Sequence, residues 1–257
     1  MGNRKLYLKN VIKRFGGRKV VDVKDLTLGT RGIEGLIGPN GAGKTTLINL
    51  ITRKIRMDCG QVIFYPGGEE IDISNKSLDE IARLGLVRTN QVIQDFQSLS
   101  IRDSLLLSLA TSKYEKFYDV FKERELREST KQEIAKYLDF FHFADPDGHA
   151  LSAGEKKLLD LVRCLLLKPK FLLMDEPTTG LPQDQIDKVI AMMRKKTAEE
   201  GMSIVIVEHD LDLIWGISEN VHFMAEGEIL FQGPPEEIRN NKTVINKYMG
   251  ENYAQGS

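Results

Sequence analysis

The sequence has little cysteine, almost no net charge and no long apolar run. Its 257 residues include two cysteines, Cys59 and Cys164, which form no C-x-x-C pair. Because no secretory signal is evident either, we expect reduced thiols in a cytosolic protein. The formal net charge is −1, and this balance argues against nucleic acid as the main partner. No apolar run approaches the ~20 residues that cross a bilayer, so any work at a membrane is expected at its surface.

The chain also shows no internal repeat or low-complexity tract. With 41% apolar residues, it can bury one α/β core, alone or with an inserted subdomain. Helix starts are predicted at Ser77-x-x-Glu80, a capping box, and at Pro235. The stretch from about 96 to 168 is rich in helix formers and is predicted to be an inserted helical subdomain. Strand-like patterns occur at Leu6–Phe15, Val20–Leu28, Ile33–Ile37, Gln61–Tyr65, Phe171–Asp175, Ser203–Glu208, Asn220–Met224 and Glu228–Phe231.

Residues 38–46 fit the phosphate-binding pattern G-x-x-x-x-G-K-[ST] in full. The glycines allow successive N–H groups to turn toward a polyphosphate without Cβ clashes. The helix that begins near Lys44 points its positive dipole end at the same anion. Lys44 adds a charge at the β- and γ-phosphates, and the Thr45 hydroxyl is placed to ligate Mg²⁺. The predicted binding residues of this loop are Gly38, Pro39, Asn40, Gly41, Ala42, Gly43, Lys44, Thr45 and Thr46.

A second element of phosphate chemistry is the apolar run 171–174 followed by Asp175 and Glu176. This pattern is typical of a buried central strand whose C-terminal end opens into a site. Asp175 is expected to reach Mg²⁺ directly or through water, and Glu176 to act as general base on the attacking water. Alone, a strand that ends in two acids is often a solvated strand end; together with the Lys44 loop it indicates a catalytic site.

The segment Ser152-Ala153-Gly154-Glu155 permits two interpretations. Ser-x-x-Glu before an apolar helix is a capping box, which needs no ligand. A serine hydroxyl and a glycine N–H at a helix N-terminus also form an anion site that suits a γ-phosphate. Both interpretations can hold together, because a capped N-terminus still presents N–H groups.

In this combination the motifs resemble those of the nucleotide-binding subunit of ABC transporters. The loop at 38–46 is similar to the family's Walker A motif, and 171–176 to its Walker B motif with the catalytic glutamate. Residues 151–155 are similar to its Leu-Ser-Gly-Gly-Gln signature, with Ala153 and Glu155 as departures. The resemblance implies a P-loop NTPase fold over residues 1–257. Residues 1–95 and 169–257 would form the core with an antiparallel β subdomain, and 96–168 a helical subdomain that carries the signature.

The resemblance also implies roles for three single residues. Gln91 matches the glutamine that meets Mg²⁺ and links the site to the helical subdomain. His209 matches the switch histidine that contacts the γ-phosphate. Phe15 lies where the family stacks an aromatic ring on adenine, although it could equally be a core residue.

Within the family, the sequence resembles the ATPases of branched-chain amino-acid importers. Arg-Thr-x-Gln at 88–91, Glu-Pro-x-x-Gly-Leu at 176–181 and the tail at 233–251 carry this likeness. The same subgroup includes ATPases that resemble those of the urea importer and of the lipopolysaccharide-export motor. A non-transport ABC ATPase is a further alternative. Thr179–Pro182 replaces the family's usual Ser-Ala-Leu-Asp loop, so the coupling between two sites stays an open question.

The resemblance implies that the chain binds and hydrolyses ATP with Mg²⁺ to drive transport. Two ATPase subunits, identical or different, would close head to tail. Ser152, Gly154 and Glu155 of one would then complete the site of the other. The implied partners are transmembrane permease subunits, and the implied location is peripheral, on the cytoplasmic face of the cell membrane.

Overall fold

A six-stranded sheet forms the centre of the molecule. The computed structural model describes residues 5–89, 100–106, 120–143, 145 and 151–254. Neighbouring strands of this sheet follow the order β10-β9-β3-β8-β7-β6. All pairs are parallel except β10–β9. The strands are β3 (Ile33–Ile37), β6 (Leu86–Arg88), β7 (Phe171–Asp175), β8 (Ser203–Val207), β9 (Asn220–Ala225) and β10 (Glu228–Gly233).

A smaller sheet has four strands in the order β2-β1-β4-β5, and every pair in it is antiparallel. Along β1 the pattern of burial follows the sequence, because Leu6, Leu8 and Val11 are buried while lysine and asparagine between them face solvent. Such alternation is typical of a sheet with one covered face. The strands are β1 (Leu6–Phe15), β2 (Arg18–Leu28), β4 (Cys59–Phe64) and β5 (Ile71–Asp72).

Helices surround the sheets, and several begin at the residues that the sequence indicates. The capping box at Ser77 and Glu80 is present, and proline opens the helix at Pro235. Residues 101–106 are also helical. The helices are α1 (Lys44–Ile51), α2 (Leu78–Leu84), α3 (Val120–Phe140), α4 (Ala153–Leu166), α5 (Gln183–Glu200), α6 (Leu211–Ile217), α7 (Pro235–Arg239) and α8 (Lys242–Ala254).

Two apolar cores lie on opposite faces of the six-stranded sheet. Every residue of β3, β7 and β8 is buried, as expected for parallel strands covered on both sides. Along β7, Phe171 and Leu173 pack into the core that includes α1 and the smaller sheet, while Leu172 and Met174 pack into the core with α4 and α5. Because successive side chains of a strand point to opposite faces of the sheet, β7 contributes to both cores.

The α/β class and the eight strand-like patterns are confirmed, with ends shifted by a few residues. The sequence pattern missed two short strands, β5 and β6, because a run of two or three residues gives no measurable periodicity. Helix α4 begins at Ala153, inside the predicted capping box. Between residues 100 and 168, the described residues form helices and no strands. The subdomain boundaries at 96 and 168 stay a prediction. Across the described ranges, no helix is both long and apolar enough to span a membrane.

Candidate functional site

Three adjacent strands end at one edge of the six-stranded sheet, and predicted site residues follow each of them. The glycine-rich loop follows β3, Glu176 follows β7, and His209 lies just after β8. Strand β8 lies between β3 and β7, and all three run parallel. Ligands in open α/β sheets bind at the carboxyl ends of such strands. The topology thus brings together residues that are far apart in the sequence.

The loop conformation requires glycine at two positions in particular. At Gly38, a Cβ atom would clash with the carbonyl oxygen of Met224. At Gly43, φ is 105° and a Cβ would lie 2.6 Å from the carbonyl oxygen of Val20. Gly43 is also the N-cap of α1, and no side chain caps that end. The first N–H groups of α1 therefore remain available to an anion.

Lys44 lies inside the loop rather than in solvent. Its side chain is 7% exposed. Its Nζ donates to the carbonyl oxygens of Gly38 at 2.5 Å and Pro39 at 3.0 Å. These bonds hold the ammonium group among the backbone groups expected to surround a phosphate, so the positive charge is preorganised there.

A pocket of about 240 Å³ borders the loop. Residues 40–46 line it together with Val20, Val207, Glu176 and His209. The groups predicted to bind phosphate and the groups predicted to act on water therefore share one cavity. Ser152 and Gly154 are not among its lining residues.

Asp175 is a buried carboxylate in need of a partner. Neither of its oxygens accepts a hydrogen bond from the residues that the structure describes. The nearest recorded cation is the Arg88 guanidinium, with Nη2 3.6 Å from Oδ2. Burial raises the pKa of Asp175 above its ordinary value, against the opposing effect of Arg88. A buried polar atom left unpaired is costly, and a hard cation such as Mg²⁺ would satisfy it.

The donor set near Asp175 suits Mg²⁺ in particular. In the described part of the chain, no group of three or more His, Cys, Asp and Glu side chains could enclose a metal ion. Mg²⁺ in nucleotide sites takes one or two carboxylates and completes its shell with water and phosphate oxygens. A single buried carboxylate, Asp175, whose oxygens accept no hydrogen bond from the described residues, therefore fits this ion, and Thr45 stays a predicted ligand.

Glu176 is held in an unusual backbone conformation. Its φ is 51°, in the left-handed region that residues other than glycine seldom adopt. The Glu176 N–H donates to the Val207 carbonyl oxygen at 2.8 Å. On the side chain, Oε1 lies 2.9 Å from Nε2 of His209. Strained backbone of this kind clusters at active sites, where neighbouring contacts impose the geometry.

The capping box at Ser152 is present. The Glu155 N–H donates to Ser152 Oγ at 3.2 Å, and Glu155 Oε2 accepts from the Ser152 N–H at 3.0 Å and from its hydroxyl at 2.7 Å. Gly154 lies close to Leu181, since a Cβ there would lie 3.2 Å from Cδ2 of that leucine. The structural interpretation of this segment is thus confirmed, and its anion-binding role stays a prediction.

Of the two remaining predicted residues, Phe15 and Gln91, the structure describes Phe15 alone. Phe15 ends β1 with 50% of its side chain exposed, and Lys13 Nζ lies 5.3 Å from the centre of its ring. The alternative that Phe15 is a core residue is therefore wrong, and its adenine contact stays a prediction. Gln91 lies outside the described residues.

Sequence reasoning missed two buried charged residues beside the site. Arg88 ends the short strand β6 and faces Asp175. Glu208 follows β8, and its Oε1 accepts bonds from the Thr178 N–H at 2.7 Å and the Thr178 hydroxyl at 2.6 Å. These bonds fix the turn after Glu176. Glu208 could have been identified from the sequence, because it follows an apolar strand, and a charged residue at the end of such a strand is the pattern that identified Asp175.

Comparison with known families and relatives agrees with this arrangement. The model of the ABC transporter family matches residues 22–179. A probable branched-chain amino acid transport ATP-binding protein, LivG of Archaeoglobus fulgidus, is 33% identical over 253 residues, with 95% of each chain covered. The high-affinity branched-chain amino acid transport ATP-binding protein LivG of Salmonella typhimurium is 32% identical over 261 residues. That alignment covers 96% of this chain and 98% of the relative.

Solved structures give the same result. A nucleotide-free ATP-binding cassette from an ABC transporter superposes with a TM-score of 0.77 at 30% identity, covering 95% of this chain and 98% of the other. The ADP conformation of MJ1267, an ATP-binding cassette of an ABC transporter, superposes with a TM-score of 0.76 at 28% identity. That alignment covers 96% of this chain and 99% of the other. The resemblance and the fold class predicted from the sequence are both confirmed. The chain therefore belongs to the ABC transporter family and is one of its ATP-hydrolysing, ATP-binding cassettes.

Proposed function

We propose that this cassette powers an importer of branched-chain amino acids or a related small solute. Relatives named for branched-chain amino acid transport cover nearly the whole chain at 30–33% identity, and this supports the substrate class. The observation that carries the ATPase role is the shared pocket, in which residues 40–46 face Glu176 and His209.

Nucleotide capture is the first step of the proposed mechanism. The N–H groups of the loop and the uncapped end of α1 bind the phosphates of ATP. Lys44 exchanges its bonds to the Gly38 and Pro39 carbonyl oxygens for bonds to the β- and γ-phosphates. The exposed ring of Phe15 supports the adenine base by stacking.

Asp175, the Thr45 hydroxyl and Gln91 hold Mg²⁺ in this proposal. When bound, the ion neutralises charge that develops on the transferred phosphate. The buried oxygens of Asp175, which accept no hydrogen bond from the described residues, support its assignment as a ligand. The assignment of Gln91 rests on the family resemblance alone.

Glu176 accepts a proton from the attacking water. A positioned general base of this kind contributes about 10²- to 10⁴-fold in rate. His209 orients the Glu176 carboxylate through the 2.9 Å contact and lines the pocket where the γ-phosphate is expected. The turn fixed by Glu208 and Thr178 limits the movement of the base.

A second cassette completes the site. Ser152 and Gly154 lie outside the lining of the chain's own nucleotide pocket, which supports a γ-phosphate contact in another subunit. Glu155 stands where the family has glutamine, and its carboxylate is engaged with the Ser152 cap. We expect its charge to weaken the interaction with phosphate without abolishing it.

In the cell, the cassette pair acts on transmembrane permease subunits at the cytoplasmic face of the membrane. ATP closes the pair, and hydrolysis with product release reopens it. The helical residues between 96 and 168 transmit this motion to the permease.

Isolation of the native complex tests the proposal. The tagged cassette is purified from detergent-solubilised membranes of the source cells, and the bound membrane proteins are identified and reconstituted in proteoliposomes. We expect uptake of labelled leucine that requires ATP and disappears with Glu176→Gln. Co-purification with a lipid or lipopolysaccharide exporter, or with no membrane protein, would contradict the substrate assignment.

A further inference from the structure

The backbone of Glu176 is fixed from two sides. On one side its N–H donates to the carbonyl oxygen of Val207 in β8. On the other side its carbonyl oxygen accepts a 2.9 Å hydrogen bond from Nζ of Lys157. The donor is an ammonium group in a partly buried place, and charge-assisted bonds of this kind are stronger than neutral ones. The left-handed φ of Glu176 is costly for a residue with a Cβ, and these two hydrogen bonds help to hold it.

Lys157 also contributes charge behind the acidic pair. A second cavity of about 260 Å³ lies there, and its lining includes Lys157, Asp160, Asp175 and Glu176. Three of these side chains are carboxylates, and Lys157 is the one cation among the residues that line this cavity. Glu176 lines both this cavity and the nucleotide pocket, whereas Lys157 is not among the residues that line the nucleotide pocket.

We propose that Lys157 is a positioning residue for the reaction: it holds the Glu176 carbonyl and thereby aims the carboxylate at the attacking water. Lys157 lies on α4, the helix capped by Ser152. The contact links the helix that begins at the signature segment to the general base within one subunit. This inference rests on the proposed role of Glu176 and deepens it.

Steady-state kinetics on purified cassette test the inference. Lys157→Met removes the ammonium group and keeps the aliphatic stem, and Lys157→Arg keeps a charged donor. Lys195→Met, at an exposed position of α5, is the charge-matched control. We expect Lys157→Met to lower kcat by about 10- to 100-fold, since small misplacement of a catalytic group has effects of this size. KM for ATP should change less than about twofold. Lys157→Arg should restore most of the rate, and Lys195→Met should match the wild type.

A double-mutant cycle separates positioning from a general loss of stability. If Lys157 acts through Glu176, Lys157→Met should cause no further loss of kcat in the Glu176→Gln background. Thermal unfolding and calorimetric ATP affinity are measured on every variant. Should Lys157→Met prove unstable, Lys157→Leu, which also lacks a donor to the Glu176 carbonyl, replaces it in the same cycle.

The outcomes distinguish the two proposals. Wild-type kcat in a folded Lys157→Met protein, or an equal further loss in the Glu176→Gln background, would overturn the positioning role and leave the function intact. Full turnover by Glu176→Gln alone would instead overturn the assignment of the general base.

Discussion

His209 Nε2 and Glu176 Oε1 lie 2.9 Å apart, although the two residues are 33 positions apart in the chain. The contact depends on the pairing of β7 with β8, which brings the ends of both strands to one edge. A ring N–H that donates to the carboxylate fixes the direction of its remaining lone pairs.

We expect His209→Ala to lower kcat by about 100-fold, because Glu176, the proposed general base, loses its orientation. ATP affinity should change only slightly, since Lys44 and the loop supply most of the binding. Steady-state ATPase assays with calorimetry check this. A variant with normal kcat would contradict the orienting role.

Lys44→Ala should sharply weaken ATP binding, by about 2 kcal/mol or more, because it removes a preorganised charge-assisted donor. The fold should survive, since the Nζ hydrogen bonds to Gly38 and Pro39 lie within the loop itself. Calorimetry measures the affinity and circular dichroism the fold. Unchanged affinity would rule out this loop as the phosphate site.

Asp175→Asn should abolish Mg²⁺-dependent hydrolysis. Asparagine keeps the size of the side chain but removes the negative charge that attracts a hard cation. The change also leaves the buried Arg88 guanidinium without its ion pair, so we expect it to destabilise the metal-free protein. ATPase assays across a Mg²⁺ titration and thermal unfolding in EDTA provide the measurements. Hydrolysis that persists in EDTA would refute the metal site.

Much of this site could be predicted from sequence, because its motifs encode local backbone geometry. Gly38, Gly43 and Ser152 act through turns and caps that depend on nearby residues. Arg88 and Lys157 were missed for the opposite reason, since each contacts the acidic pair only after β6, β7 and α4 have packed together. No spacing pattern along the chain records such long-range contacts.

A buried contact between Glu34 and His222, away from the site, provides a test of stability. Glu34 is fully buried and its carboxylate accepts bonds from the backbone N–H groups of Gly29, Thr30 and Arg31. Its Oε2 also lies 3.1 Å from Nε2 of His222. Burial alone would raise the pKa of Glu34. The interaction with His222 and the hydrogen bonds from Gly29 and Thr30 outweigh that effect, so the pKa of Glu34 lies below its ordinary value.

Glu34→Gln should therefore reduce the free energy of unfolding by about 1–3 kcal/mol at neutral pH, because it replaces hydrogen bonds to a charged acceptor with weaker ones. A depressed carboxyl pKa gives stability that is full above the unfolded value of about 4.5 and is lost as the pH falls through the folded value. The difference between wild type and variant should shrink toward acid pH in denaturant titrations, while ATP affinity at neutral pH stays unchanged. A stability difference between wild type and variant that grows toward acid pH would show that folding raises the pKa of Glu34 instead of lowering it.

The central claim is that two cassettes enclose ATP and that Glu176 triggers their release by splitting it. Glu176→Gln keeps the shape of the site and removes the base, so ATP should bind without being hydrolysed and hold the pair closed. Ser152→Arg places a long side chain where the γ-phosphate of the other subunit must be received.

Light scattering during size-exclusion chromatography with ATP tests this claim most directly. We expect a dimer for Glu176→Gln, and monomers for the wild type and for Glu176→Gln combined with Ser152→Arg. A Glu176→Gln protein that binds ATP tightly but stays monomeric at high concentration would contradict a pair of identical cassettes and require a different partner subunit.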